Sequence, residues 1–330
     1  MTTMKSLLGA AAALAFSAAG ALAEPAIIFD LGGKFDRSFN ESAFNGAERW
    51  AEETGGTYRE IELQNDAQRE QAMRRLAEAG ANPIVMAGFS QASALEVVAP
   101  DYPDTTFVII DGVVDAPNVQ SIIFSEHEGS YLVGMLAGMA SETGTVSFVG
   151  GMDIPLISRF ACGYAQGVVA ADPEATVIAN MTGTTPAAWN DPVRGGELTR
   201  GQIGQGSDVV CAAAGGTGLG VLQTAAGAGI LSIGVDANQN YLHPGMVLTS
   251  MIKRVDVAVY DAFSADTIEP GIFVYGLAED GVGYALDEFN QELITEEMIA
   301  AVDAAREQII AGELSVHNFT DDGTCPVEMQ

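Results

Sequence analysis

Short apolar runs alternate with longer segments of helical periodicity along most of the chain. In the first half, the apolar runs predict strands at residues 26–30, 58–63, 83–89, 107–111 and 119–125. The segments between them predict helices at residues 39–54, 66–79 and 91–99. Strands that alternate with helices in this way predict a parallel sheet with helices on both faces, and therefore an α/β fold.

The second half repeats this scheme after a predicted buried helix at 128–141. Its predicted strands are 145–150, 176–181, 208–213 and 230–236, and its predicted helices are 158–171, 191–204 and 218–228. Residues 84–98 align with residues 209–223, each as an apolar strand, a polar turn and a helix. Further along each half, an apolar strand ends in an aspartate, Asp111 in one and Asp236 in the other. A single carboxylate at a strand end often only caps a turn. The matched pair instead favours two carboxylates that face each other across a cleft between two related lobes.

The alternation becomes looser after Asp236. Residues 246–253 predict a strand, residues 255–264 a helix, residues 271–285 a hairpin that turns at 279–281, and residues 295–311 an acidic helix. We expect these segments to cross back to the first lobe. The predicted lobes are residues 24–127 and 128–253, each completed by part of 254–330. Crossing connections of this kind form a hinge about which two lobes close on a ligand.

The first 23 residues predict a cleaved Sec-type signal peptide. One lysine precedes an apolar stretch at residues 6–21, and Ala21 and Ala23 place small side chains before Glu24. The stretch is too short and too poorly flanked for a stable membrane span, although an uncleaved anchor is the alternative. Because no cysteine lies at the cleavage site, we expect an exported protein that is not a lipoprotein.

Composition narrows the function classes. A hydrophobic content of 48% supports sizeable cores and excludes a disordered chain. The net charge of −30 makes nucleic-acid polymers poor partners, and solvation is the simplest interpretation of this charge. The three cysteines cannot all pair within one chain. Cys211 lies in an apolar run and is expected to be a buried free thiol, whereas a disulfide between Cys162 and Cys325 stays open.

Signatures of catalysis and of metal binding are missing. The chain has no GxSxG, HExxH or Walker sequence, and its three histidines lack metal-ligand spacing. The sequence GGTGLG at residues 215–220 imitates a dinucleotide fingerprint, but Val221 occupies the position of the required third glycine. A helix N-terminus that lines a cleft accounts better for these glycines. We therefore expect no cofactor, no metal and no enzymatic activity.

The loop after the first strand is the best candidate for one wall of a binding site. Ligands of open α/β sheets collect at the carboxyl ends of the strands, where Asp30, Phe39 and Asn40 lie. In this loop, Ser38 is predicted to cap the following helix with Glu41 as its reciprocal partner.

The second half supplies candidates for the opposite wall. Trp189 lies in a comparable loop, and with Phe39 it could sandwich a planar ring. The alternative is that each ring fills the core of its own lobe. Lys253 ends an apolar strand and is predicted to pair with Asp236.

Seven motifs recur in the order seen in one known family. They are GKFDRSFNESAFNG, PDTTFVIIDG, EGSYLVGMLAGMAS, AWNDPVRG, AGGTGLG, IGVDANQ and LTSMIKR. With these motifs the chain resembles the basic membrane protein family of ABC-transporter substrate-binding proteins over essentially the whole mature sequence. The resemblance implies a periplasmic-binding-protein type I fold, with two lobes and three crossing connections. The best understood relatives bind purine nucleosides for import.

The resemblance also implies a set of ligand-binding residues. The matching positions are Asp30, Phe39, Asn40, Asp111, Trp189, Gly216, Asp236 and Lys253. By analogy, Asp111 accepts hydrogen bonds from the base edge. Asp236 and Lys253, together with Gly216, contact the ribose side. Trp189 departs from the family pattern, in which this second stacking ring is usually phenylalanine.

The expected protein is a monomer that delivers a purine nucleoside to an ABC permease in the inner membrane. Many relatives are lipoproteins, but the chain lacks the lipobox cysteine, so we expect it to diffuse freely in the periplasm. The alternatives are a carrier of a free nucleobase or of another planar heterocycle such as riboflavin, and a ligand receptor for signalling. An exported enzyme is a further alternative.

Overall fold

Two six-stranded sheets organise the computed structural model, which describes residues 23–330. The strands are β1 (Ala26–Phe29), β2 (Arg59–Glu62), β3 (Ile84–Ala87), β4 (Phe107–Ile110), β5 (Val119–Phe124), β6 (Thr145–Met152), β7 (Thr176–Gly183), β8 (Val209–Ala213), β9 (Leu231–Asp236), β10 (Val247–Lys253), β11 (Gly271–Tyr275) and β12 (Val282–Tyr284). The helices are α1 (Phe39–Thr54), α2 (Arg69–Glu78), α3 (Ala92–Val98), α4 (Glu126–Ala140), α5 (Pro155–Ala171), α6 (Pro192–Ile203), α7 (Gly218–Ala228), α8 (Val255–Ser264), α9 (Glu296–Ile310) and α10 (Phe319–Asp322).

The two sheets share one topology. The first has the order β2-β1-β3-β4-β5-β11 and the second has the order β7-β6-β8-β9-β10-β12. All pairs in the first sheet are parallel, and in the second only β12 runs antiparallel to its neighbour β10. The predicted pair of doubly wound α/β lobes is confirmed.

The central strands are buried on both faces, which explains their uninterrupted apolar runs. Every residue of β1 (AIIF), β3 (IVMA) and β4 (FVII) is buried, and so is every residue of β8 (VVCAA). Helices on both faces of a parallel sheet exclude water from alternate side chains equally, so no polar alternation is needed. This is why apolar runs, rather than alternating patterns, locate these strands in the sequence.

The chain passes between the sheets at three places. These are the junction of β5 with α4, the junction of β10 with α8, and the segment between β11 and β12. After the first crossing, α4 packs on α5 and β10, and after the second, α8 packs on α1. The hairpin predicted at residues 271–285 is wrong, because β11 joins β5 in one sheet and β12 joins β10 in the other. We propose that these crossings bound the two lobes.

A disulfide fixes the C-terminal segment. Cys162 of α5 bonds to Cys325 across a Cα–Cα distance of 5.6 Å. The last residue, Gln330, then pairs through its backbone with Val177 of β7. Cys211 is buried and free, so this expectation is confirmed.

The predicted signal peptide lies outside the described residues, apart from Ala23. Within residues 23–330, no helix is long and apolar enough to cross a membrane.

Candidate functional site

A cleft of about 610 Å³, counting the part open to solvent, lies where the strands of both sheets present their carboxyl ends. Every residue of the predicted binding set lines this cleft except Gly216. Gly216 lies just behind the lining, where a Cβ atom would be 3.3 Å from the Trp189 carbonyl oxygen and 3.8 Å from the Asp36 Cβ. The topology therefore brings side chains from both halves of the sequence into one site.

Asp30 is held firmly at the end of β1. Its Oδ1 accepts hydrogen bonds from the Leu31 N–H at 2.7 Å and from the Arg69 guanidinium at 2.8 Å. Its Oδ2 accepts from the Ser90 hydroxyl. Because Arg69 is itself buried, the carboxylate is fixed in orientation and compensated in charge.

Asn40 shapes the loop that follows Asp30. Its Oδ1 accepts from the Asp30 N–H at 3.1 Å, and its Nδ2 donates to the Gly33 carbonyl at 3.3 Å. Both ends of the amide are thus engaged within the loop that lines the cleft.

Asp36 caps α1 in place of Ser38. The Asp36 carboxylate accepts from the N–H groups of Ser38 at 2.8 Å, Asn40 at 3.1 Å and Glu41 at 3.1 Å. Burial raises the pKa of Asp36 to about 7, against the effect of these three hydrogen bonds.

The predicted capping box is therefore wrong. Glu41 accepts from the Arg37 N–H at 3.1 Å rather than from Ser38, and the Ser38 hydroxyl donates to Asp236 Oδ2 at 2.5 Å across the cleft. A carboxylate competes better than a hydroxyl for the N–H groups at a helix N-terminus, because its negative charge strengthens each hydrogen bond.

The two matched aspartates lie at equivalent places in the two sheets. Asp111 directly follows β4 and Asp236 ends β9, and both adopt a left-handed backbone with φ of 65°. Both side chains line the cleft. Asp111 Oδ1 is buried and has no hydrogen-bond partner among the described residues.

Lys253 pairs with Asp111 and not with Asp236, which corrects the predicted ion pair. Its Nζ lies 2.5 Å from Asp111 Oδ2 and 2.9 Å from Glu126 Oε1. Burial raises the pKa of Asp111 to about 6, although the Lys253 charge opposes this shift. Burial disfavours the Lys253 ammonium, but the carboxylates of Asp111, Glu126 and Asp236 outweigh burial and raise its pKa.

The ion pairs continue from the cleft into the hinge. Arg159 Nη1 lies 2.9 Å from Glu126 Oε2 and donates to the Phe124 carbonyl at 2.7 Å. Glu126 opens α4 at the first crossing, and Lys253 ends β10 at the second. Sequence reasoning missed Glu126 and Arg159. The chain has only 14 basic residues against 44 acidic ones, and this scarcity was the one signal that could have drawn attention to Arg159.

Aromatic rings surround the Lys253 ammonium. Its Nζ lies 5.2 Å from the centroid of Phe39, 5.1 Å from that of Phe124 and 5.5 Å from that of Phe160. Distances of this size permit cation–π attraction. One of the two predicted ligand-stacking rings, Phe39, is therefore placed against the charged group at the base of the cleft.

Trp189 forms the wall contributed by the second half. It ends a short 3-10 turn (Pro186–Trp189), and its ring packs over the backbone of β6 at Gly151. A Cβ atom on Gly151 would lie 2.2 Å from Trp189 Cζ3, so the indole needs glycine there.

Sequence reasoning also missed several cleft residues. These are Asp36, Phe89, Leu156, Ile157 and Phe160. The three apolar residues of α5 repeat at helical spacing, which in a sequence cannot be told from core packing. Within residues 23–330, no group of His, Cys, Asp or Glu side chains is arranged to hold a metal ion.

Comparison with known proteins places this cleft in a family. Residues 24–319 match the family model described as ABC transporter substrate-binding protein PnrA-like, Bmp. The chain belongs to this family. It is therefore an ABC transporter substrate-binding protein, a class that takes a small-molecule ligand and works with an ABC permease.

Two relatives show how far the similarity extends. The ABC transporter nucleoside-binding protein BmpA of Lactococcus lactis subsp. cremoris is 32% identical, over 88% of this chain and 88% of the relative. The crystal structure of an ABC transporter solute-binding protein from Aeropyrum pernix K1 matches with a TM-score of 0.81 at 29% identity, over 89% of this chain and 93% of the other. The predicted periplasmic-binding-protein type I fold is confirmed.

The expected localisation is contradicted by other relatives. A protein of Pyrococcus abyssi that is 36% identical, over 78% of this chain and 68% of the relative, is named an uncharacterized lipoprotein. Relatives from Pyrococcus furiosus and Pyrococcus horikoshii carry the same description. The prediction of a freely diffusing periplasmic protein that is not a lipoprotein is therefore wrong. That prediction depended on a single inferred cleavage site, before Glu24, at which no cysteine is found.

Proposed function

We propose that this substrate-binding protein captures a purine nucleoside in the cleft and presents it to the permease of an ABC importer. The observation that carries the proposal is the composition of one cleft, in which the rings of Phe39 and Trp189 lie beside the polar group of Asp111, Asp236 and Lys253. A nucleoside has the same two parts, a planar base and a polar sugar. The name of the Lactococcus lactis relative supports this assignment.

The polar group serves the sugar. Asp111 touches Lys253, and Lys253 acts electrostatically on Asp236, so all three face the same part of a ligand. The free Asp111 Oδ1 needs a hydrogen-bond donor, and a ribose hydroxyl is one. We therefore propose Asp111 for the ribose side rather than for the base edge.

Asp30 serves the base. Arg69 and Ser90 hold its carboxylate from behind, and Asn40 shapes the neighbouring backbone. A fixed acceptor beside the aromatic walls suits an N–H group on a purine edge, and an analogue without that donor forgoes a charge-assisted hydrogen bond.

Capture depends on closure. The cleft takes Asp30, Phe39 and Asp111 from the first sheet and its loops, and Trp189 and Asp236 from the second. A ligand that contacts both sets binds the closed form better than the open form, and this difference in affinity drives the lobes together. The closed complex is then the form that the permease recognises.

A free nucleobase is the second candidate ligand, but it would leave the acceptors at the sugar end without donors. Mass spectrometry of the small molecule released when the purified protein is denatured distinguishes the two. We expect the mass of a purine nucleoside. Release of a free base, a flavin or a sugar instead would contradict the proposal.

A further inference from the structure

Two hydrogen bonds across the cleft join the turn before α1 to the end of β9 and the loop that follows it. The Ser38 hydroxyl donates to Asp236 Oδ2 at 2.5 Å, and Gln239 Nε2 donates to the Arg37 carbonyl at 2.8 Å. Ser38 is fully buried and Gln239 nearly so, and neither side chain lines the cleft. Ser38 and Gln239 therefore hold the two lobes together and do not contact a ligand directly.

The Ser38 hydroxyl is available for this bond because Asp36 caps the helix. Three backbone N–H groups at the start of α1 are satisfied by the Asp36 carboxylate, one of them the N–H of Ser38 itself. Removal of the Ser38 hydroxyl thus leaves the cap of α1 complete. The hydrogen bond from Ser38 to Asp236 can therefore be removed without disturbing the N-terminus of α1.

Gln239 is positioned within its own lobe before closure. Its Oε1 accepts from the Val235 N–H at 2.9 Å, and its own N–H donates to the Ser250 hydroxyl at 2.9 Å. The Nε2 group is left to reach the opposite lobe.

Both turns hold a non-glycine residue in the left-handed region. Arg37 has φ of 60° and Asp236 has φ of 65°. Such conformations persist where the surrounding contacts require them, and they concentrate at clamps and switches. Here they point the Arg37 carbonyl and the Asp236 carboxylate towards each other's lobe.

We propose that Ser38 is a positioning residue for ligand binding. Together with Gln239 it forms an interlobe latch, defined as the Ser38–Asp236 and Gln239–Arg37 bonds, that orients Asp236 and sets the lifetime of the closed complex. The choice of ligand for the test rests on the proposed function, whereas the latch itself rests on the contacts between the lobes.

The latch acts on release and not on capture. In the closed form, removal of the Ser38 hydroxyl leaves Asp236 Oδ2 buried without its donor, while in the open form water replaces that donor. Ser38→Ala should therefore speed ligand release at least tenfold and change the association rate less than twofold. The ligand-free melting temperature should stay close to that of the wild type, because the cap of α1 is complete. Ser38→Thr, which retains the hydroxyl, should restore slow release.

Stopped-flow measurement of intrinsic tryptophan fluorescence, to which Trp50 and Trp189 both contribute, tests these rates with guanosine. Gln239→Glu, which keeps the acceptor for Val235 but replaces the donor to Arg37, should also speed release. Ser42→Ala is the matched control, since Ser42 is buried in the same helix and makes no bond to the other lobe among the described residues. If Ser38→Ala and Gln239→Glu both release guanosine at the wild-type rate, the latch is refuted.

A second measurement separates the latch from the proposed ligand. If wild-type protein binds neither guanosine, inosine nor adenosine, the proposed function fails, and small-angle X-ray scattering of the ligand-free proteins then tests the latch. If the latch forms whenever the lobes meet, ligand-free wild type is closed part of the time. Ser38→Ala and Gln239→Glu should each lower that closed fraction and so increase the radius of gyration relative to wild type and to Ser42→Ala. Identical scattering from all four proteins would overturn the latch.

Discussion

Asp111 and Asp236 repeat one local geometry in the two halves of the molecule, each in a left-handed conformation with φ of 65° at the carboxyl end of a buried strand. A left-handed non-glycine residue costs about 1–3 kcal/mol, so surrounding contacts must hold both in place. For Asp111, one such contact is the bond from its N–H to the Ile122 carbonyl at 2.8 Å. The result is a carboxylate from each lobe in a single cleft, with Lys253 between the lobes.

Replacement of Asp111 and of Glu126 should separate ligand binding from stability. Each carboxylate pairs with the buried Lys253, and loss of one partner from a buried ion pair lowers the free energy of unfolding by roughly 3–5 kcal/mol. Asp111→Asn and Glu126→Gln should therefore both shift the urea midpoint. Only Asp111→Asn should also weaken nucleoside binding, by at least tenfold, because Glu126 does not line the cleft. Equal losses of affinity in the two variants would show that Asp111 acts through Lys253 and not by its own contact with the ligand.

Gly151 should matter for binding although it does not line the cleft. A methyl group there would overlap the Trp189 ring, with its Cβ 2.2 Å from Cζ3, and would displace the indole. We expect Gly151→Ala to weaken binding about fivefold or more, as Trp189→Ala should, since stacking on an aromatic ring contributes about 1–3 kcal/mol. Isothermal titration of both variants checks this.

Gly227→Ala is the matched control for this prediction. Gly227 lies in α7, where an added Cβ meets no atom within 4 Å. The substitution should leave affinity unchanged and stabilise the protein by roughly 0.5–1 kcal/mol, because alanine is the better helix former. Wild-type affinity in Gly151→Ala would show that Trp189 is not a ligand wall.

The sequence pattern was sufficient to predict the strands and helices of the two lobes, but not the contacts between the lobes. Uninterrupted apolar runs such as β1 and β4 could be recognised because a parallel sheet buries both faces. The repeat also located Asp111 and Asp236. In contrast, β11 and β12 resemble a hairpin in sequence, and only the three-dimensional path shows that they enter different sheets.

The polar pairings could not be predicted for a similar reason. Ser38 has a standard capping position, but Asp36 competes for the same N–H groups, and which side chain prevails depends on what Ser38 meets across the cleft. The repeat offered Lys253 two aspartates as partners, and the structure pairs it with Asp111 and with Glu126, which lies outside the repeat. Long-range partners of this kind are set by the crossing of the lobes, which local sequence does not encode.

The cysteines give a direct check on the fold of the C-terminal segment. With Cys162 and Cys325 bonded and Cys211 buried, the folded protein should show no thiol reactive with Ellman's reagent, and the unfolded, unreduced protein should show one. Burial raises the pKa of Cys211 and keeps this thiol inert.

Removal of the disulfide should also lower stability. The bond joins residues 163 positions apart, and Cys325→Ser should reduce the free energy of unfolding by about 2–4 kcal/mol. Three reactive thiols in the unfolded, unreduced wild-type protein would show that the bond does not form.

His127 should make stability fall on mild acidification. Burial lowers its pKa to about 4, and the charge of Arg159 acts in the same direction, while Glu126, Asp321 and His317 lie near enough to modify the shift. Between pH 6.5 and pH 4 the unfolded chain therefore binds a proton at His127 that the folded protein does not, so lowering the pH destabilises the folded state.

The His127→Gln variant isolates this contribution. The wild-type free energy of unfolding should decline relative to the variant by up to about 1.4 kcal/mol per pH unit below pH 6.5, with no further relative change above that pH. Urea unfolding at pH 7.5, 6 and 5 measures the difference. Parallel pH profiles for the two proteins would show that His127 is as easily protonated in the folded protein as in the unfolded chain.

Titration calorimetry decides whether the cleft takes a nucleoside. Guanosine, inosine and adenosine would each be compared with the corresponding free base, with ribose and with riboflavin. We expect at least one nucleoside to bind at a single site, at least tenfold more tightly than its free base or ribose alone, because only the intact nucleoside reaches both the aromatic walls and the carboxylates of Asp111 and Asp236. If all three nucleosides give no heat while another class of ligand binds, the protein is not a nucleoside receptor.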